Sequence, residues 1–344
     1  MIGSAEQKTK TLEGNMIKET KWIKVGLIGI SFIFVFIMVV SVIALAEPNN
    51  YPTQKIRIIV PYKPGGGSDT RARLMEKIIR ENNLLPVPVV IINIPGGGAA
   101  PGQLEVINAK PDGYTLLLHH GQVIIGHLLD ILDWNYDAFA PVAEITENPI
   151  VVCTHASSPW KRFTDLIEDA EQRPGKITWS WGGMGGHTHF TSLAIFKGKN
   201  IKVRPVAHGG AAESKAALAG RQVDVAVFGV VPMDYIKAGR FRALAVASDE
   251  RMPQLPDVPT LKEQGVDVSV SIRYSLFAPK GTPEERLIYL QSVVKRVCEN
   301  PEFVEKIHKI GGVVKYRPGQ EMFDQFAKDY ELFKEVAAEI KIKR

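Results

Sequence analysis

Residues 55–80, K-I-R-I-I-V-P-Y-K-P-G-G-G-S-D-T-R-A-R-L-M-E-K-I-I-R, decide how the rest of the chain is read. Ile56, Ile58, Ile59 and Val60 are a β-branched apolar run, the composition of a strand buried in a parallel sheet. Pro61 ends it because proline has no N–H to donate. Gly65, Gly66 and Gly67 follow, and Ser68 or Asp69 stands where it can cap a helix whose Leu74, Met75, Ile78 and Ile79 share one stripe. The predicted order is strand, glycine loop, helix. A helix that opens this way points N–H groups without intrahelical acceptors into a space free of side chains, and such a terminus attracts anions. The loop is not a nucleotide motif, because it has neither the Gly-Lys-Ser/Thr of a P-loop nor G-x-G-x-x-G. Taken alone it is also what any tight strand-to-helix turn would use.

The chain around it has 344 residues, 45% of them hydrophobic, enough for one large domain or two medium ones. Lys18, Lys21 and Lys24 precede an uncharged apolar run over 25–46 that ends Ala44-Leu45-Ala46 before Glu47. That pattern predicts a signal peptide over 1–46, cleaved after Ala46, with Met16 as an alternative start. The run is long enough to span a bilayer, so an uncleaved N-terminal membrane anchor is the alternative. No cysteine lies near the cleavage site, which argues against a lipoprotein anchor. Removing 1–46 takes away five Lys and three acidic residues and lowers the formal net charge from +5 to about +3. Without a Lys/Arg cluster interleaved with aromatics, that charge is too mild for nucleic acid. Cys153 and Cys298 lie in an apolar strand and a helical pattern, where buried free thiols are expected, although an oxidising compartment would permit a disulfide.

The opening pattern recurs. An apolar run over 87–93 leads to Pro95-Gly96-Gly97-Gly98, and a strand over 114–118 delivers His119, His120, Gly121 and Gln122 at its carboxyl end, where open α/β sheets bind ligands. A strand over 149–154 passes into a second unit. There the strand 176–181 reaches Gly182-Gly183-Met184-Gly185-Gly186-His187-Thr188-His189 before a helix over 190–197, and the strand 203–207 reaches His208-Gly209-Gly210 before a helix over 211–219. Strands and helices alternate to residue 247, the α/β pattern with parallel sheets. Extended chain over 266–278 returns to the first unit, and amphipathic helices over 284–298 and 322–340 close it. His119-His120 and His187-x-His189 lack the spacing and mixed ligand sets of zinc sites, so no metal is expected.

These residues resemble the extracytoplasmic solute-binding receptors of tripartite tricarboxylate transporters, the Bug receptors, over about residues 51–343. The carriers are Val60-Pro61-x-x-Pro64-Gly65-Gly66 with Asp69 and Arg73, Asn93-x-Pro95-Gly96-x-Gly98, and Asp112-Gly113-Tyr114-Thr115-Leu116. Phe139-Ala140-Pro141-Val142, Pro174-Gly175-Lys176, Gly183-x-Gly185 with His189, and Gly220-x-x-Val223-Asp224 follow in order. Gly239-x-x-Arg242-Ala243-Leu244-Ala245, Leu255-Pro256-Asp257-Val258-Pro259-Thr260 and Ala278-Pro279-Lys280-Gly281-Thr282-Pro283 complete the set.

The resemblance implies an α/β, two-lobed fold of the periplasmic-binding-protein type, each lobe a mostly parallel sheet flanked by helices, with the ligand in the interlobe cleft. Lobe 1 would comprise 51–150 and 270–344, and lobe 2 would comprise 151–269. It implies a small organic di- or tricarboxylate held by backbone N–H groups, hydroxyls and waters, with no cofactor. The expected ligand set is Pro64, Gly65, Gly66, Gly67, Ser68, Asp69, Thr70, Gly97 and Gln122 from the first lobe. From the second it is Gly183, Gly185, Gly186, His187, Thr188, His208 and Gly209. Where the family commonly has Tyr-Lys before the fourth glycine turn this chain has Ala207-His208, and Met184 and Gly186 replace small polar residues, so ligand preference does not transfer.

The function so implied is a periplasmic, monomeric, non-enzymatic receptor that delivers a carboxylate to the membrane subunits of such a transporter. Two alternatives are a membrane-tethered sensor, which needs the anchor to stay uncleaved, and a secreted hydrolase using the glycine loops as an oxyanion site. The hydrolase lacks a G-x-S-x-G elbow and any motif pairing a nucleophile with a base.

Overall fold

In the computed structural model, which describes residues 50–342, the opening stretch is strand β1 (Ile56–Val60), a turn, and helix α1 (Gly67–Glu81). β1 is buried and runs parallel between β2 (Val89–Asn93) and β3 (Thr115–His120), which lead into α2 (Ala100–Ile107) and α3 (Gln122–Leu128). All three strands therefore finish at one sheet edge, and that edge gathers the first two glycine loops and His119-His120. The chain divides into Met1–Tyr51 and Pro52–Arg344, and only the second is described below. The expected signal peptide and its alternative anchor lie outside the described residues. Among the described residues no helix is long and apolar enough to cross a membrane.

Strand β4 (Phe139–His155) has 17 residues and changes partners along its length. Residues 139–149 pair antiparallel with β9 (Ser271–Pro279), and residues 150–155 pair antiparallel with β7 (Val225–Phe228) and β8 (Phe241–Ala247). The strand expected over 149–154 is only its second half. Its first half is hidden in the sequence by Pro141, which cannot donate to a ladder, and by Glu144, Thr146, Glu147 and Asn148, which read as a polar loop. Register shifts between Pro141 and Ala143 and between Glu144 and Thr146 absorb the irregularity. The polar side chains are buried because each has a partner. Arg273 on β9 bonds Glu147 at 2.6 Å and Asp329 at 2.9 Å, Arg317 bonds Glu144 at 2.6 Å, and Arg71 bonds Thr146 and Asn148.

Beyond β4 the alternation is as read: α4 (Phe163–Gln172), β5 (Thr178–Gly182), α5 (His187–Lys199), β6 (Arg204–His208), α6 (Ala211–Ala219), β7, α7 (Met233–Lys237) and β8. After β9 come α8 (Glu284–Glu299), α9 (Pro301–Lys309), β10 (Val313–Pro318) and α10 (Gly319–Ile342). The sheets are mixed where mostly parallel ones were expected. Parallel pairing is confined to β2-β1-β3 and to β6-β5-β7, while β3-β9, β9-β4, β10-β4, β4-β7 and β4-β8 are antiparallel. Alternation with helices does not by itself fix strand direction: β9 follows β8 with no α-helix between them, while β4, β8 and β10 each follow an α-helix and still pair antiparallel.

The last helix, α10, packs on both α5 and β9. Its Phe333 meets Phe190 of α5 edge to face at 5.2 Å, and its Phe326 meets Phe277 of β9 at 5.6 Å. Trp179, Phe163, Phe190 and Phe277 are wholly buried in the same apolar cluster. Burial of side chains this size is worth about 1.5–3 kcal/mol each. Cys153 in β4 and Cys298 in α8 are free and buried, and burial pushes the Cys298 thiol up to about 12, so it is not a reactive thiolate at neutral pH.

Candidate functional site

The β1–α1 loop is held open by a side chain inside it. The Asp69 carboxylate accepts from the Gly65 N–H at 2.8 Å, from Arg73 Nε at 2.9 Å and from Asn93 Nδ2 at 2.9 Å, while Asn93 Nδ2 also donates to Tyr62 O. Burial pushes the Asp69 carboxyl up, but the hydrogen bonds from Arg73, Gly65 and Asn93 outweigh it and hold it below the usual range. Asp69 thus serves the loop, its carboxylate oxygens taken up by these donors. The Thr70 N–H is also spent, donating to Gly66 O at 2.9 Å within the helix. The N–H groups that open α1, those of Gly67, Ser68 and Asp69, have no intrahelical acceptor.

A cavity of about 530 Å³ lies at this helix start, lined by residues 62–68 with His120 and Tyr274. No acidic side chain lines it. His120, at the end of β3, stacks on Tyr62 with ring centroids 5.0 Å apart and meets His187 and Tyr274 edge-on at 5.5 Å. Beneath it His119 Nδ1 is 3.3 Å from Tyr62 Oη. Burial pushes His119 down to about 3 and His187 to about 4, helped by His187 and by Arg273 respectively, and it pushes His120 down as well. These imidazoles are neutral at pH 7, so they offer rings and single donors.

Gly97 and Gln122 are placed elsewhere. They line a second depression, of about 380 Å³, with Gly96, Gly98 and Ile131, and it shares Tyr62 and Lys63 with the first. Pro64, Gly65, Gly66, Gly67 and Ser68 line the first cavity together, with the Gly65 N–H taken by Asp69 and the Gly66 N–H by Lys63 O. The glycine loops after β5 and β6 line neither depression, and most of their donors are already used. The Gly183 N–H donates to His208 O, the Gly185 N–H to His189 Nδ1 at 3.1 Å, and the Gly209 N–H to Glu213 Oε2 at 2.8 Å. Gly183, Gly185 and Gly209 are therefore not open anion donors, and His208 contributes a carbonyl to the loop's own frame. What remains at that end is the start of α5, at Gly186, His187 and Thr188. It touches the first glycine region through the His187–His120 ring contact and through Gln122 Nε2, which donates to Gly185 O at 3.3 Å.

One spacing runs through all three capped loops. Gly65 and Asp69, Gly185 and His189, Gly209 and Glu213 are each four apart, with the side chain turned back onto the glycine N–H. That Gly-x-x-x-acceptor pattern was available in the sequence and marks which donors are spoken for. Tyr62, Lys63, His120 and Tyr274 line the cavity and were not in the expected set. Tyr274 had no signal at all, since it reaches the loop from β9. His187 and His189 face different ways, His189 stacking on Trp181 at 4.5 Å. Among the described residues no group of three or more His, Cys, Asp or Glu is placed to hold a metal. The site can offer hydrogen-bond donors to an anion. His120 Nδ1 accepts from the Gln122 N–H at 3.3 Å, and no hydrogen bond among the described residues joins a serine, a histidine and an acid there.

A sequence profile described as the tripartite tricarboxylate transporter family receptor matches residues 72–340. A UPF0065 protein of Bordetella pertussis is 31% identical over 288 residues, 83% of this chain and 88% of its own length. A TctC solute-binding protein from Polaromonas, solved with no ligand, superposes with a TM-score of 0.79 at 26% identity, covering 84% of this chain and all of that one. MatC from Rhodopseudomonas palustris, solved with bound malate, gives a TM-score of 0.64 at 27% identity, covering 83% of this chain and all of its own.

Proposed function

Because the chain belongs to the tripartite tricarboxylate transporter receptor family, we propose that it captures a small organic carboxylate outside the cytoplasm and hands it to the membrane subunits of such a transporter. The ligand carboxylate sits in the cavity at Gly65–Ser68, taking the N–H groups that open α1. The observation that carries this reading is a donor-rich cavity without an acidic side chain, built on a helix start. Residues 51–150 with 270–344 act as one lobe and 151–269 as the other, and the start of α5 approaches the ligand as they close. The protein works as a monomer in the periplasm after loss of residues 1–46. It binds without turnover, since the cavity pairs no nucleophile with a base.

Titration calorimetry of the exported chain with malate, succinate, adipate and citrate tests the reading. At least one of these acids is expected to bind with one site per chain and to be recovered unchanged. Binding of none of them, or hydrolysis of simple esters, amides or phosphates by the same preparation, would overturn it.

A further inference from the structure

Tyr274, like Ser68, lines the cavity from a nearly buried side chain. It is 7% exposed, and its Oη has no hydrogen-bond partner among the described residues. That oxygen stands 2.9 Å from where a Cβ on Gly67 would be, beside the N–H groups that open α1. The hydroxyl is left to donate to whatever fills the cavity.

Behind the ring lies a charge without a counter-charge. The Arg71 guanidinium is 2% exposed and sits 3.8 Å from the Tyr274 ring centroid. Its hydrogen bonds go to Thr146 Oγ1 at 2.8 Å, Gly67 O at 3.0 Å and Asn148 Oδ1 at 2.6 Å, all of them neutral acceptors. No ion pair with Arg71 occurs among the described residues. Asp69, the nearest acid in sequence, is taken by Arg73. By contrast Arg273, the other wholly buried arginine, bonds two carboxylates. A buried cation left uncompensated lowers stability, and here it is backed against the wall of a cavity that also lacks acids. A cation on the face of a phenol draws electron density from the ring and makes the hydroxyl a stronger donor.

We propose that Tyr274 Oη is a ligand contact and that Arg71 is its buried counter-charge, so that the pair selects a ligand group carrying full negative charge over an amide or ester of the same shape. Tyr274 touches the ligand. Arg71 acts through Tyr274 and Gly67 as a positioning residue. The inference rests on the receptor reading of the same cavity and adds the origin of its charge selectivity.

The test compares malate with malamate, in which one carboxylate is replaced by an amide, by calorimetry on the exported chain. Tyr274→Phe keeps the ring and the stack and is expected to weaken malate about tenfold or more while affecting malamate less. Arg71→Gln is expected to weaken malate on the order of ten- to a hundredfold and to bring the malate-to-malamate ratio toward one. Arg71→Lys, which keeps the charge, restores most of that ratio. If Arg71 only braces the fold, both ligands weaken alike and the ratio stays at its wild-type value, which overturns the proposal. Unchanged malate affinity in Tyr274→Phe overturns it as well, and that variant stands even where Arg71→Gln fails to fold. A wild-type chain that binds none of malate, succinate, adipate and citrate fails the receptor reading itself, and this inference with it.

Discussion

A methyl group on Gly67 would stand 2.9 Å from Tyr274 Oη and 3.4 Å from Arg71 Nη1, on a backbone that needs no positive φ. Gly67→Ala therefore fills the cavity mouth without straining the turn. It is expected to lower ligand affinity at least tenfold, with stability changed by less than about 1 kcal/mol, as read by calorimetry and thermal melting. Gly185→Val is a different experiment. Gly185 has φ +71°, and its Cβ would lie 2.9 Å from Leu129 Cδ1, so about 1–3 kcal/mol of stability is expected to go with any loss of binding. His187 gives a pH signature. Burial keeps its folded pKa near 4, below the ordinary value near 6.5 of an unfolded chain, so the unfolded state takes up the proton first as pH falls. The stability held above pH 6.5 should decline toward pH 4 by about 1.4 kcal/mol per pH unit from this group, and His187→Gln should flatten that slope in urea titrations. A variant with the wild-type slope would show that His187 is charged in the fold. The glycines of the first loop were legible because a strand, three glycines and a helix are adjacent in sequence. Tyr274 and Arg71 were not, since their meeting is made by β9 lying beside β3, about two hundred residues apart.

β4 and β9 are joined by side chains as much as by their ladder. Arg273 bonds Glu147 and Asp329, and Arg317 bonds Glu144, tying β4, β9, β10 and α10 into one buried network. Removing the central cation leaves two carboxylates buried without it. Arg273→Met is expected to cost about 3–5 kcal/mol in urea unfolding, far more than any exposed pair such as Lys295–Glu299. A cost below about 1 kcal/mol would mean that the acids are neutral or hydrated in the folded protein. This network also explains what was misread. Helix-flanked strands such as β1 and β7 announce themselves by apolar runs, whereas the first half of β4 carries Glu144, Thr146, Glu147 and Asn148 and looks like a connection until their distant partners are known. The pair α9 and β10 was missed for a related reason. Asn300 caps α9 through Glu302 N and Phe303 N with Pro301 at its first position, a readable start, but no residue of β10 is fully buried and its pattern is weak.

At the scale of the molecule, β4 exchanges β9 for β7 and β8 as partners at Pro149 and Ile150. Bending there would change how the start of α5, which already meets His120, stands against the cavity at Gly65–Ser68, and hinge motion of this kind is expected of a two-lobed receptor. Small-angle scattering is expected to show a smaller radius of gyration when the protein is saturated with its acid, and an unchanged radius would confine the ligand to one lobe. The class of fold and the family were readable from motifs strung along the whole chain, while the reversal of strand direction around β4 and β9 was not, because pairing partners leave no local mark. Pro149 and Ser271 are opposite each other in the ladder, so the two ends of the intervening segment stand only about 5 Å apart. The segment is therefore expected to behave as a cassette, apart from its packing against α10. A stretch that leaves and rejoins its host at neighbouring points can be exchanged between relatives as one piece, and a hybrid carrying another receptor's 150–270 region should fold and should show whether recognition travels with the cassette or stays with the host.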